Sequence, residues 1–131
     1  MIAALGARVH LYVRPAHRKS FTALFRDVLG CDVRELDFGF THPILLVSFP
    51  GHSAFSVEFS DQAVAEPTVV DDEHAFRGAW IEFRADDVAA VHGRLREAGV
   101  RSFSHPGSPH AYFMAPGGQV FRVIALDYEG P

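Results

Sequence analysis

Polar and apolar residues alternate at every second position in several stretches of the chain, and apolar residues recur at helical spacing in two others. Arg8-Val9-His10-Leu11-Tyr12-Val13 and Phe55-Ser56-Val57-Glu58-Phe59-Ser60 show period two, which predicts half-buried strands. Phe21, Leu24, Phe25, Val28 and Leu29 fall on one face of a helix that starts near Pro15 and stops at Gly30. Two further extended segments, 31–37 and 44–49, are separated by Gly39 and Pro43 and followed by the Pro50-Gly51 turn. The first half of the chain reads βαβββ.

After a polar stretch the same order begins again. Trp80-Ile81-Glu82-Phe83-Arg84-Ala85 alternates and ends at Asp86-Asp87, an acidic pair suited to a helix N-terminus. Val88, Val91, Leu95 and Ala98 trace a helix face that stops at Gly99, and a short extended segment, 101–104, follows. The last strands, 110–114 and 120–126, flank Ala115-Pro116-Gly117-Gly118-Gln119, a hairpin signal because adjacent glycines accept positive φ. The expected fold class is α+β: tandem βαβββ units, about 7–61 and 79–127, joined by a 62–78 linker into one domain. Arg8 maps onto Trp80, Gly30 onto Gly99 and Glu58 onto Arg122, so the repeat is one of pattern rather than of identity. Two such sheets set edge to edge would curl into a cup, with the helices outside.

Composition narrows the function. With 16 acids against 12 bases, net charge −4, and the bases scattered, nucleic-acid binding is disfavoured. No apolar stretch reaches the ~20 residues of a membrane span, and Met1-Ile2-Ala3-Ala4-Leu5 lacks the basic flank of a secretory signal, so a soluble cytoplasmic protein is expected. The single cysteine, Cys31, excludes an internal disulfide and a thiolate zinc site, and reads as a small core residue.

Side chains alternate across a strand, so packing Val9, Leu11 and Val13 under the helix turns Arg8, His10 and Tyr12 the other way. The same partition leaves Ser56, Glu58 and Ser60, then Trp80, Glu82 and Arg84, then Val120, Arg122 and Ile124 on the open face. A solvated sheet face explains any one strand, but not the only tryptophan. Aromatic, carboxylate and guanidinium groups on one concavity point to a small-molecule site.

The segments 9–13, Phe25-Arg26-Asp27-Val28-Leu29-Gly30, 80–88 leading to Ala98-Gly99-Val100, and 115–122 resemble the vicinal oxygen chelate superfamily, which includes glyoxalase I, extradiol dioxygenases and bleomycin-resistance proteins. Metal-using members place one ligand at the start of each unit's first strand and a carboxylate in each unit's last strand. Carried onto this chain, the resemblance implies Arg8, Glu58, Trp80 and Arg122 at those positions, and only Glu58 offers a metal donor. A guanidinium about 4 Å from a divalent ion, at an effective dielectric of about 20, adds roughly 8 kcal/mol of repulsion. A divalent metal is therefore disfavoured, no cofactor is expected, and glyoxalase I activity is not. Instead, Arg122, with Arg8 beside it, is expected to replace the cation and pair with Glu58. The resemblance also implies a homodimer.

Eight histidines remain. His17, His42, His52, His74 and His92 fall in loops or at polar helix positions, and His105 and His110 frame a Pro/Gly loop. His10 lies one pleat from Arg8 on the open face, where it can act as a general base, hydrogen-bond a ligand, or join Glu58 and His110 in a relocated metal set. No H-E-x-x-H, Ser-His-Asp order or activated cysteine stands out, so nucleophilic catalysis has no support in chain order. The expectation is a metal-free small-molecule-binding protein for drug or metabolite sequestration, with Arg8, His10, Tyr12, Glu58, Trp80, Glu82, Arg84 and Arg122 around the ligand. The alternative is a lyase, isomerase or dioxygenase of the same superfamily, using His10 and Glu58 as acid and base or as relocated ligands.

Overall fold

A computed structural model describes residues 1–67 and 78–130. The strands are β1 (His10–Val13), β2 (Asp32–Leu36), β3 (Ile44–Ser48), β4 (Ala54–Phe59), β5 (Trp80–Ala85), β6 (Ser102–Ser104), β7 (Ala111–Met114) and β8 (Val120–Ala125). Two helices, α1 (Arg18–Ala23) and α2 (Val88–Glu97), follow β1 and β5 respectively. The strands form two four-stranded mixed sheets, ordered β1-β4-β3-β2 and β5-β8-β7-β6. In each, the first strand pairs parallel with the last, which requires the intervening helix to cross over, and the other pairs are antiparallel. The tandem βαβββ pattern is thus the architecture, and the fold class is α+β.

Local chemistry sets the helix ends. Pro15 begins a 3₁₀ turn, Pro15–His17, that leads into α1, and a π turn, Leu24–Val28, leads out of it. The Leu29 amide donates to the Leu24 carbonyl at 2.9 Å and the Cys31 amide to the Phe25 carbonyl at 2.8 Å, across Gly30 at φ +70°. The regular helix expected from periodicity is therefore widened in its last turn, while Phe21, Leu24 and Phe25 still face inward. In α2, the Asp87 carboxylate accepts from the Ala90 amide at 2.9 Å, the N-cap that the acidic pair announced.

One core joins the two units. Phe25 lies 5.3 Å from both Phe55 and Phe121, Phe55 lies 5.8 Å from Phe121, and Phe49 lies 5.8 Å from Phe83. Leu11, Val13, Val57, Leu95 and Val123 belong to the same cluster. Phe25 is fully buried, so its truncation to alanine costs about 3–5 kcal/mol. The units also meet at the β7–β8 turn. A Cβ at Gly117, where φ is +97°, would stand 2.6 Å from a Val13 methyl, so only glycine fits both the backbone and the space. Because the inner faces of both sheets build this core, each sheet turns its other face away from it. Among the described residues no helix is long and apolar enough to cross a membrane.

Candidate functional site

The first sheet turns His10, Tyr12, Ser56 and Glu58 to its open face, as the alternation predicts, while Leu11, Val13, Phe55, Val57 and Phe59 are buried. Cross-strand register puts His10 opposite Ser56 and Tyr12 opposite Glu58. His10 Nδ1 is 2.6 Å from Ser56 Oγ, its Nε2 is 3.5 Å from Glu58 Oε1, and its ring meets Tyr12 edge-on at 5.0 Å. About a third of each side chain of the His10–Glu58 pair is exposed. The adjacency of His10 and Ser56 is hidden in chain order, because the two are far apart in sequence and meet only through the parallel β1–β4 pairing.

The second sheet carries a different set. Glu82 stands opposite Arg122, and Arg122 Nη2 donates to Glu82 Oε2 at 2.8 Å. Arg84 Nε donates to Glu82 Oε1 at 2.6 Å, and Arg84 Nη1 reaches the Leu126 and Tyr128 carbonyls at 3.0 Å each. The Arg122 guanidinium lies 4.1 Å from the centroid of the Trp80 ring, a cation–π contact. Burial pushes the Glu82 carboxyl up, but the hydrogen bonds and charges of Arg122 and Arg84 outweigh it and hold the group below the ordinary carboxylate range. Arg122 is 8% exposed. Phe103, Tyr112, Met114 and Val120 make a buried apolar cluster in the same sheet, with Tyr112 opposite Arg122 in register and 6.4 Å from Trp80. Tyr112 was not singled out from sequence. Parity on β7, with Tyr112 alternating with Ala111 and Phe113, is the signal that finds it.

Two sequence expectations change. Arg122 pairs with Glu82 and not with Glu58, because the two carboxylates sit on separate sheets and Glu82 is the cross-strand neighbour. The repeat alignment also shifts by one pleat. Since Tyr12 faces Glu58 and Glu82 faces Arg122, equating Glu58 with Arg122 makes Tyr12 the equivalent of Glu82 and His10, rather than Arg8, the equivalent of Trp80. Arg8 precedes β1 and is exposed. Alternation cannot expose a slip of two residues, since both registers keep the same face inside.

The superfamily's four-donor metal set does not fit. With the corrected register, His10 and Glu58 offer donors, but the other two positions hold an indole and a guanidinium already committed to each other and to Glu82. His110 lies on the second sheet's side, edge-on to Tyr128 at 4.6 Å, and does not join His10. Among the described residues no group of three or more His, Cys, Asp or Glu could hold a metal ion. His74 lies outside the described residues.

Two cavities bear on the site. One of about 620 Å³ runs along β1 and is bordered by His10, Tyr12, Gly117 and Gln119. Another, of about 700 Å³, opens between the units on the helix side and includes Arg84 alone of the expected residues, with Cys31 in its wall. Burial pushes the Cys31 thiol up to about 11, which makes it inert at neutral pH.

No protein-family model matches the chain, and neither does any curated protein. Solved structures do. TnmS3, an antibiotic binding protein from Streptomyces sp. CB03234, aligns over 95% of this chain and 98% of its own at 22% identity and a TM-score of 0.63. Oxidase ChaP-H2 aligns over 98% of both chains at 20% identity and a TM-score of 0.65. A glyoxalase/bleomycin resistance protein from the same Streptomyces strain covers 88% of this chain and 97% of its own at 22% identity and a TM-score of 0.57. Likeness at such identities is likeness of architecture, and the chain has the glyoxalase/bleomycin-resistance fold.

Proposed function

We propose that the protein is a metal-free small-molecule-binding protein that sequesters a partly aromatic drug or metabolite. The observation that carries this reading is the indole of Trp80, 40% exposed on a face that also carries Glu82 and Arg84, and backed by the Arg122 guanidinium. A flat ring stacks on such a platform, and Glu82 and Arg84 border it to orient polar substituents. The description of TnmS3 as an antibiotic binding protein supports the same class of ligand. The two units act as one domain in this reading. The His10–Glu58 face and the Trp80–Arg122 face both turn away from the shared core, so a second copy related by a two-fold axis would set one against the other. Arg8, His10, Tyr12 and Glu58 would then close the cavity over the ligand in a homodimer.

Trp80 is the only tryptophan, so its fluorescence reports the site directly. Titration with planar polycyclic compounds carrying an acidic group is expected to give saturable quenching. Calorimetry is expected to show that affinity lost in Trp80→Ala. Failure of every compound to quench, or a Trp80→Ala variant that binds as tightly, would overturn the reading. The 3.5 Å contact of His10 with Glu58 favours a second reading, a lyase or isomerase with these two as acid and base. Product formation that disappears in His10→Ala would establish it.

A further inference from the structure

The first sheet's open face holds a nucleophile, a base and a carboxylate in sequence through space. Ser56 Oγ lies 2.6 Å from one imidazole nitrogen of His10, and Glu58 lies 3.5 Å from the other. That is the arrangement by which a neutral hydroxyl becomes a nucleophile: a base within hydrogen-bond reach, itself oriented by a third group. Closing the 3.5 Å gap so that Glu58 accepts from Nε2–H would fix the tautomer in which Nδ1 carries the lone pair and the Ser56 hydroxyl donates to it. A 3.5 Å separation before a ligand binds is within the range that tightens on binding. The group is reachable, since about a third of His10 and Glu58 is exposed and His10 lines the cavity of about 620 Å³ along β1.

The same chain supplies its own control. His92 Nδ1 lies 2.9 Å from Ser102 Oγ, so a second serine–histidine pair exists. Among the described residues its other ring nitrogen is buried without a partner, and no carboxylate orients it. Burial first, and the Arg96 charge second, hold His92 below the ordinary imidazole range.

We infer that Ser56, His10 and Glu58 form a nucleophilic site for acyl transfer to water, taking small esters. Ser56 Oγ bonds to the ester carbonyl carbon and its proton passes to His10 Nδ1. The carbon–alkoxide bond breaks, and His10 returns the proton to the departing alcohol. Water then repeats the sequence on the acyl-serine, releasing the carboxylic acid and restoring the hydroxyl. The inference rests on β1 and β4 and needs no ligand at Trp80, so it stands or falls apart from the binding reading.

The test uses the full chain and an alkyl fluorophosphonate, which forms a serine–phosphorus bond as fluoride leaves, with modified peptides read by mass spectrometry. Ser56 is expected to be modified and Ser102 not. His10→Ala is expected to slow modification of Ser56 on the order of a hundredfold, the lower range of a general base's contribution, and Glu58→Gln by a smaller factor. Circular dichroism checks that each variant is folded, and His10→Asn replaces His10→Ala should the latter fail to fold. An unmodified Ser56, a rate unchanged without the imidazole, or equal modification of Ser102 would each overturn the inference.

Discussion

The open face of the first sheet holds the His10 and Glu58 side chains about one third exposed beside Ser56, whereas that of the second buries Arg122 to 8% exposure between Trp80, Tyr112 and Glu82. Both faces come from the same strand order, and their key residues occupy equivalent register positions: His10 with Trp80, and Glu58 with Arg122. The first kept groups that exchange protons. The second took on permanent charge and aromatic surface. A guanidinium is never deprotonated at accessible pH and, once buried, must have its partner carboxylate, so the second face gains rigidity and loses acid–base chemistry. The fold therefore places the positions, and side-chain chemistry divides the labour between them.

The largest expected effect breaks this contrast at its centre. Arg122→Ala removes the guanidinium under the indole and opens a void beside Tyr112, and it is expected to cost about 3 kcal/mol in urea denaturation, the low end for a broken buried pair. Arg84 still holds Glu82, which keeps the loss from being larger. A loss below about 1 kcal/mol, the range of an exposed ion pair, would mean that the second face is no more structural than the first. Next comes Gly117→Ala, which strains a backbone at φ +97° and drives a Cβ into Val13 of the other unit. About 2 kcal/mol is expected from strain and overpacking together. Trp80 takes no part in that contact, so its fluorescence should survive in the molecules that remain folded.

Much of this was legible in the chain. Period-two alternation assigned Leu11, Val13, Phe83 and Phe121 to the core and His10, Glu58, Trp80 and Arg122 away from the core face, because burial on one face forces parity. The glycines at 30 and 99 and the acidic pair before α2 fixed the helix ends for local reasons, φ and capping. Pairing was another matter. Which residues of β1 and β4 stand opposite each other depends on a long crossover connection, so alternation puts Ser56 on the open face without setting it beside His10, and aligns Arg8 where His10 belongs. Arg122 was matched to the wrong carboxylate because parity says which side a group is on and nothing about which sheet it shares.

Acid titration sharpens the contrast by a smaller margin. Glu82 is held below the ordinary carboxylate range in the folded protein by the Arg122 and Arg84 guanidiniums, so the unfolded chain takes up its proton first. The stability it contributes is fully present above the ordinary carboxylate range and is lost as pH falls through the folded value. Denaturation midpoints measured from pH 7 downward should therefore decline, and Glu82→Gln should flatten that decline. An unchanged acid limb in Glu82→Gln would show that the Arg122 and Arg84 bonds do not hold the carboxylate charged.

The smallest expected stability change is the most informative about the first face. Glu58 contacts His10 at 3.5 Å with about a third of each side chain exposed, and pairs of that kind contribute about 0–1 kcal/mol. Glu58→Gln keeps the size and shape of the side chain and leaves an amide that can still accept from Nε2–H, so its urea midpoint should match the parent within error. What it removes is the negative charge that stabilises an imidazolium once Ser56 has given up its proton. The rate of Ser56 modification should therefore fall while the midpoint does not. A residue with only a structural role would move both measurements or neither, and the two read on one variant separate a face that does chemistry from one that holds the sheet together.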